Sequence, residues 1–404
     1  PRQPRAAAAT DGATVSPQAL IELFRLLALA LLLVEAAAQL GSVILKLWRV
    51  RLAPLAAFGA ALALGWVVVG AAGLGWGLVG AFRPPVLLAG LLAPAAVAAW
   101  QGGRRSLVLA AAREWRGILR LPARVGLAVA AFPVLARWAA PEGELDAYIY
   151  HLGAPLQWLV SGRALFTGVG VNYHLPLPTE MAFALALALD DERLAHAVIG
   201  SLFLAAASVF ASPRAAGQAP WAAWLGPLLA VAGGHSVALL CGSKSDLAAA
   251  FLLATAAGLW SPGRASVALA GALLGAAAAA KLPVAVLGAA WICCHRSGWR
   301  AAPLAAAFGA LPLLPWAVTS WLVLGNPLFP LFFDALPTLG WGAENAVVRR
   351  AYFEPWRQPG ADSLAALLSE ARGLRVEVLD SVTAARRLRT GRVGLVVVCG
   401  DPVV

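Results

Sequence analysis

From residue 53 to residue 82 the chain carries no charged side chain, and residues 86–100 are equally uncharged. The longer run exceeds what a helix needs to cross a ~30 Å hydrocarbon layer. Within lipid no water is present to bond a free N–H or C=O, so such a run must be helix and not an open sheet. Of the 404 residues, 61% are hydrophobic and 13% charged, against roughly 45–50% and about 25% in a soluble domain. A water-soluble single domain and a disordered chain are both excluded. Further apolar runs lie at 20–45, 125–140, 176–189, 194–212, 221–241, 246–260, 265–280, 281–294 and 301–324. Several fall short of a full crossing, so the sequence predicts an all-α polytopic membrane protein with about eight to eleven transmembrane helices.

Charge orients the chain. The net charge of +11 is almost wholly arginine, since the only lysines are Lys46, Lys244 and Lys281. In a membrane protein such an excess gathers in cytoplasmic loops, so no nucleic-acid partner is expected. Arg49 and Arg51, the segment 101–124, and the stretch 295–300 are read as three such loops. Within 101–124, Arg113, Arg116, Arg120 and Arg124 share one helical face, while Leu107, Val108, Trp115, Ile118 and Leu119 fall on the other. That pattern predicts a basic amphipathic helix lying on the membrane surface. The segment 141–176 then lies outside, and Glu142, Glu144 and Asp146 at its start agree. Six candidate spans separate this outer loop from the basic loop at 295–300, and an even number cannot join opposite sides. One of 265–280 and 281–294 is therefore expected to stop part-way.

The domain reading follows. Residues 1–16, rich in Pro, Ala and Arg, form a flexible tail, and 17–100 form the N-terminal membrane helices. The amphipathic helix 101–124 precedes a membrane core at 125–335, followed by an outer loop at 336–360. The tail 361–404 reads as a small α/β-like piece, with helices at Leu364–Ala371 and Ser381–Arg389 and strands at Arg375–Leu379 and Val393–Val398. Cys241, Cys293, Cys294 and Cys399 form no C-x-x-C pair and are read as buried thiols. Trp66, Trp100, Trp138 and Trp260 are assigned to the interfacial aromatic belt.

Ionisable residues beside apolar spans are costly, so they mark the candidate chemistry. One cluster runs Glu144-Leu145-Asp146-Ala147-Tyr148-Ile149-Tyr150-His151-Leu152, followed by Gly162-Arg163. A second runs Tyr173-His174-Leu175-Pro176-Leu177-Pro178-Thr179-Glu180. Gly242-Ser243-Lys244-Ser245-Asp246 opens one span, Ala280-Lys281 closes another, and Gly325-Asn326-Pro327 follows a late helix. An aspartate, Tyr-His-Leu and a Gly-Arg step just beyond a membrane helix resemble the first outer loop of GT-C superfamily glycosyltransferases. Within them the pattern is similar to bacterial relatives of protein O-mannosyltransferases and lipid A aminoarabinose transferases. The resemblance covers roughly residues 125–335.

What the resemblance implies is a GT-C-like fold and sugar transfer from a polyprenyl-phosphate-linked donor, at the outer face of the cytoplasmic (inner) membrane. Asp146 would act as general base or substrate anchor, with Glu144 beside it. His151, Arg163, His174, Glu180, Lys244 and Asn326 would bind substrate. The family's acidic pair is here split by Leu145. Asp146 with Glu144 could bind a divalent metal, although no ligand spacing demands one. The implied partners are the lipid-linked donor and membrane lipids, with the acceptor unspecified.

Structural readings compete at several of these positions. Lys244 and Asp246 would pair at a helix start, Lys281 would snorkel to the surface, and Asn326 would belong to a helix stop. The Gly and Ala abundance of 265–280 points to close helix packing. Two other functions remain open at this level: a secondary transporter, and a non-catalytic membrane scaffold using the tail for docking.

Overall fold

The computed structural model describes residues 16–101, 106–118, 138, 140, 142, 147–164, 176–189, 191–212, 242–261, 263–294, 298–329, 336, 338–339, 377–379 and 396–398. Eleven α-helices occur among them: α1 (Pro17–Leu47), α2 (Pro54–Leu78), α3 (Pro84–Gln101), α4 (Leu107–Ile118), α5 (Gly153–Ser161), α6 (Pro178–Ala188), α7 (Arg193–Ala211), α8 (Ser245–Leu259), α9 (Arg264–Ala280), α10 (Val284–Cys294) and α11 (Gly298–Leu324). Four of them open on proline, whose fixed φ and missing N–H suit the first helical position. At α1 the preceding Ser16 adds a cap, its hydroxyl accepting the Ala19 N–H at 3.2 Å. The chain divides within α11 into two compact units, Pro1–Trp316 and Ala317–Val404.

Four helices are long and apolar enough to cross a membrane: α2, α3, α7 and α11, the last over Trp299–Leu324. Shorter apolar helices are α6, α8, α9 and α10. α1, at 31 residues, is longer than any of these and carries Glu22, Arg25, Glu35 and Lys46. Burial separates their roles. The apolar windows of α2 and α7 are 72% and 78% buried within the protein, whereas those of α3 and α11 are 22% and 17% buried. α2 and α7 are thus interior helices, while α3 and α11 turn side chains such as Val97, Trp100, Leu311 and Leu314 outward. An outward apolar surface of this extent suits hydrocarbon and not water. The chain is a helical membrane protein.

Lipid tails are as apolar as leucine, so helices in a bilayer associate through close van der Waals contact at small residues. α1 and α2 do so reciprocally. A Cβ added to Gly41 would lie 1.8 Å from the Ala61 carbonyl oxygen, and one on Gly65 would lie 1.9 Å from that of Ala37. The contacts run in opposite chain directions, so α1 and α2 are antiparallel. α2 meets α7 in the same way: a Cβ on Gly59 would lie 2.3 Å from the Ala205 carbonyl oxygen. Further along α2, Trp66 Nε1 donates to Ser201 Oγ at 2.8 Å. α9 and α11 pack through Gly271 against Ala305 and Gly275 against Gly309. The small residues of 265–280 therefore serve helix approach.

The first charged residue deep in α1 has a structural task. The Glu35 carboxylate accepts from Ser106 Oγ at 2.8 Å, from the Leu107 and Val108 N–H groups at 2.9 Å each, and from Gln39 Nε2 at 2.7 Å. It caps the N-terminus of α4 from another helix, a place where negative charge is favoured. α4 lies with Leu107, Val108 and Trp115 partly buried and with Arg113 and Arg116 exposed. Trp115 Nε1 also donates to Ser208 Oγ at 3.2 Å.

Several expectations change. The helix expected over 101–124 is described over 107–118, with Gln101 closing α3. The segment 141–176, expected as an outer loop, contains α5 and a π-turn at Ala147–His151 among its described residues. Trp66 is no belt residue: it stands at the middle of α2, 5% exposed and hydrogen-bonded. Asp246 pairs not with Lys244 but with Lys281 Nζ at 2.7 Å, because α8 and α9 run antiparallel and bring the start of one to the end of the other. Cys293 is exposed and not buried. α9 and α10 are separate helices of 17 and 11 residues, broken at Lys281-Leu282-Pro283. The expected spans at 221–241 and, apart from Trp138 and Ala140, at 125–140 lie outside the described residues, as does the tail 1–15.

In the second unit α11 ends at Leu324, with Gly325 at φ +77°. Two three-residue strands, β1 (Glu377–Leu379) and β2 (Val396–Val398), pair in parallel, with Glu377 opposite Val396. The remainder of 361–404 lies outside the described residues.

The α1–α2 contact makes a direct prediction. Gly65→Ala places a methyl group against the Ala37 carbonyl oxygen and forces the helices apart, at a cost of about 1–3 kcal/mol. Gly75→Ala, on the same helix, meets no atom within 4 Å and should leave stability unchanged or slightly raised. Thermal melting of both variants in detergent checks the difference.

Candidate functional site

The far end of α2 and the end of α5 lock together through two glycine turns. Gly80 at φ +77° and Gly162 at φ +72° adopt the left-handed conformation that only glycine takes cheaply. The Phe82 N–H donates to the Gly162 carbonyl at 2.9 Å, and the Ala164 N–H donates to that of Gly77 at 3.2 Å. Each turn then carries an arginine across to the other: the Arg163 side chain lies against Gly80, and that of Arg83 lies against Gly162. Both are exposed, and neither meets a carboxylate among the described residues.

The segment leading into α5 is pinned to the starts of three helices. His151 Nδ1 lies 2.5 Å from Glu180 Oε1 in the first turn of α6, with both side chains fully buried. Glu142 Oε2 accepts the Ser243 N–H, just before α8, at 2.6 Å and lies 3.4 Å from His196 Nε2 near the start of α7. The other His196 nitrogen, Nδ1, is 3.1 Å from the Trp138 carbonyl oxygen. The Tyr148 hydroxyl stands 2.9 Å from the Glu142 carbonyl oxygen and 3.1 Å from Glu192 Oε1. Burial, together with the hydrogen bond and negative charge of Glu192, pushes its ionisation up, so Tyr148 remains a donor. Glu180 Oε2, Ser243 Oγ and Trp138 Nε1 are buried with no hydrogen-bond partner among the described residues. Orphaned buried polar atoms are uncommon, and these accompany the two carboxylate–imidazole pairs.

A third group fixes the corner between α6 and α7. Asp191, 3% exposed at its side chain, receives Arg193 Nε at 2.9 Å and Nη2 at 2.8 Å, the Arg193 N–H at 3.1 Å, and Arg25 Nη2 of α1 at 3.1 Å.

Of the residues singled out from sequence, Glu144, Asp146 and His174 lie outside the described residues. His151 and Glu180 are brought into direct contact, and Arg163 stands at the glycine lock. Lys244 precedes α8 beside Ser243, the residue that binds Glu142. Asn326 belongs to the second unit and its side chain shapes the turn after α11: Oδ1 accepts the Leu328 N–H at 2.9 Å and Nδ2 donates to Thr338 Oγ1 at 3.2 Å. These bonds serve the turn, because the chain reverses at Gly325 and needs its backbone N–H groups bonded. Arg83, Glu192 and His196 escaped the sequence reading, which took Glu142 only as a loop charge. Glu192 and His196, four apart at the mouth of an apolar helix, were the available signal, since a histidine entering a membrane span is costly. No group of three His, Cys, Asp or Glu able to hold a metal ion occurs among the described residues.

Burial alone would push the Asp191 carboxyl up, but the hydrogen bonds and charge of Arg193, with the charge of Arg25, outweigh it and hold it below the usual carboxylate range. A lowered native value means the stabilisation is fully present above the unfolded value of about 3.9 and is lost as pH falls through the native one. The melting temperature should therefore fall more steeply below about pH 4 in the wild type than in Asp191→Asn. That variant should also be less stable at neutral pH, as a melting series across pH would show. No protein-family model matches the chain, and no curated protein or solved structure matches it either.

Proposed function

We propose that the chain transfers a sugar from a polyprenyl-phosphate-linked donor to an acceptor hydroxyl at the outer face of the cytoplasmic membrane, as a GT-C-like glycosyltransferase. The observation that supports this reading is the pair Arg83 and Arg163, exposed at the glycine lock that joins the ends of α2 and α5 and without carboxylate partners among the described residues. A lipid phosphate leaving an anomeric carbon develops negative charge, and arginine's planar fork matches phosphate geometry. The acceptor oxygen attacks the anomeric carbon as its proton passes to the Asp146 carboxylate. The bond from that carbon to the phosphate oxygen breaks, and the phosphate departs with the electron pair toward the arginines. The buried contacts of Glu142 with Ser243 and His196, and of His151 with Glu180, hold the segment leading into α5 against α6, α7 and α8. They are positioning groups, since they are buried within the protein.

The test uses purified full-length protein with a polyprenyl-phosphate-linked sugar. Asp146→Asn should lower transfer by at least about a hundredfold while the protein still inserts and folds. Arg83→Gln combined with Arg163→Gln should raise the apparent KM for the donor by about tenfold. Full activity in both variants would overturn the assignment.

One observation favours a second reading. Two fully buried carboxylate–imidazole pairs in a membrane protein also suit a proton relay in a secondary transporter. Proton-coupled solute uptake by liposomes, lost in Glu180→Gln and without donor consumption, would establish that reading instead.

A further inference from the structure

At the opposite end of α2 lies an open cavity of about 1360 Å³, mouth included, walled by the end of α1, the start of α2 and α4. α2 is 25 residues long, so its two ends are ~36 Å apart at 1.5 Å per residue. This cavity is therefore separate from the Arg83–Arg163 lock. Its lining is divided by chemistry. Lys46, Arg49 and Arg51 line it, exposed, and none of their side chains meets a carboxylate or another hydrogen-bond partner among the described residues. Leu45, Leu52, Phe58 and Leu107 form an apolar wall. Glu114 on α4 is the single acid in the lining, leaving a surplus of positive charge.

Arg49 adds a further observation. It is the only residue other than glycine with positive φ among the described residues, at +53°. That conformation costs an L-residue with a Cβ roughly 1–2 kcal/mol, and glycine occupies the equivalent place after many helices. The chain turns here with a guanidinium where a bare glycine would be less strained, and this turn places Arg49 beside Arg51.

We propose that this cavity binds an anionic membrane lipid carrying a phosphate-monoester head, with the phosphate held by Lys46, Arg49 and Arg51 and the chain laid along the apolar wall. Charge complementarity selects the head, since a phosphate monoester approaches two negative charges at neutral pH and arginine grips it at two points. The apolar wall selects a lipid over a free phosphate, because a soluble anion would leave the half-buried Leu52 and Leu107 wet. Leu45 belongs to α1, Leu52 to the turn after it, Phe58 to α2 and Leu107 to α4, so the lipid chain lies where the three helices meet. Glu35, by capping α4, holds that third wall in place. The proposal does not depend on sugar transfer, and binding can be measured without any assay of activity.

The experiment is native mass spectrometry of the full-length protein in detergent, with dioleoylphosphatidic acid, dioleoylphosphatidylcholine or inorganic phosphate added. Phosphatidic acid should be retained about tenfold better than phosphatidylcholine and should survive a large excess of inorganic phosphate. The double variant Arg49→Gln, Arg51→Gln should lose that preference, while Arg113→Gln, exposed on α4 outside the lining, should keep it. Arg49→Gly separates binding from folding: it removes a cation and relieves the backbone, so it should melt no lower than wild type yet retain less phosphatidic acid. Equal retention of both lipids, displacement by inorganic phosphate, wild-type binding by the double variant, or an equal loss in Arg113→Gln would each overturn the proposal.

Discussion

The contact on which the first unit depends is the approach of α1 to α2 through Gly41 and Gly65, close enough that either glycine's missing Cβ would strike a carbonyl of the other helix. Water cannot drive two apolar helices together once both are in lipid, so the attraction must come from dispersion at short range, and only small residues permit that range. With α1 laid antiparallel against it, α2 becomes the axis on which α6 and α7 pack, and its two ends become two distinct places. One end receives the segment 147–164 through the glycine lock, and the other receives the α1–α2 turn and α4. The separation of the two sites is a consequence of helix length.

Where a helix begins was readable, because Pro17, Pro54, Pro84 and Pro178 carry a local instruction that needs no partner. The apolar runs were readable for the same reason, and so was the stop at Gly325-Asn326. Partners far along the chain were not. Glu35 stands inside the apolar run 20–45, yet it serves as the cap of a helix more than seventy residues later. Asp246 had a lysine two residues away and binds another thirty-five residues on, because the antiparallel return of α9 decides proximity. Trp66 carried the composition of an interfacial tryptophan, but its hydrogen bond to Ser201 holds it in the interior. The candidate site divides in the same way. Its local words, Tyr-His-Leu and Gly-Arg, were visible, whereas the buried contacts of Glu142 with His196 and Ser243 exist only through folding.

Charge is handled in two opposite manners. The buried Asp191 carboxylate is enclosed by donors, and the buried Glu142 accepts the Ser243 N–H. The Arg49 and Arg51 side chains are left exposed and bonded to no acid among the described residues, and the same holds for Arg83 and Arg163 at the glycine lock. A protein with 31 basic and 20 acidic residues has positive charge to spare, but a general surplus does not dictate where it stands. Placement beside an apolar cavity in one case, and between two left-handed glycines in the other, follows from backbone turns that hold the guanidinium groups in position.

That placement bears on how one chain could serve a greasy anionic molecule. Desolvating a phosphate is costly unless fixed donors replace its water, and flexible side chains forfeit part of the gain as lost rotamer freedom. The turns at Gly80, Gly162 and Arg49 reduce that loss by setting the backbone beneath each arginine before any ligand arrives. In the Gly80–Gly162 lock the turn residues are glycines, so the conformation is nearly free and the arginines beside them remain ordinary residues. At Arg49 the arginine itself occupies the left-handed position, so strain is stored where the charge is presented. The hydrogen bonds of the first arrangement are backbone–backbone, so neither guanidinium is needed to close it. The second ties backbone energy to side-chain identity at one residue, so a single replacement by glycine separates the contribution of the charge from that of the turn.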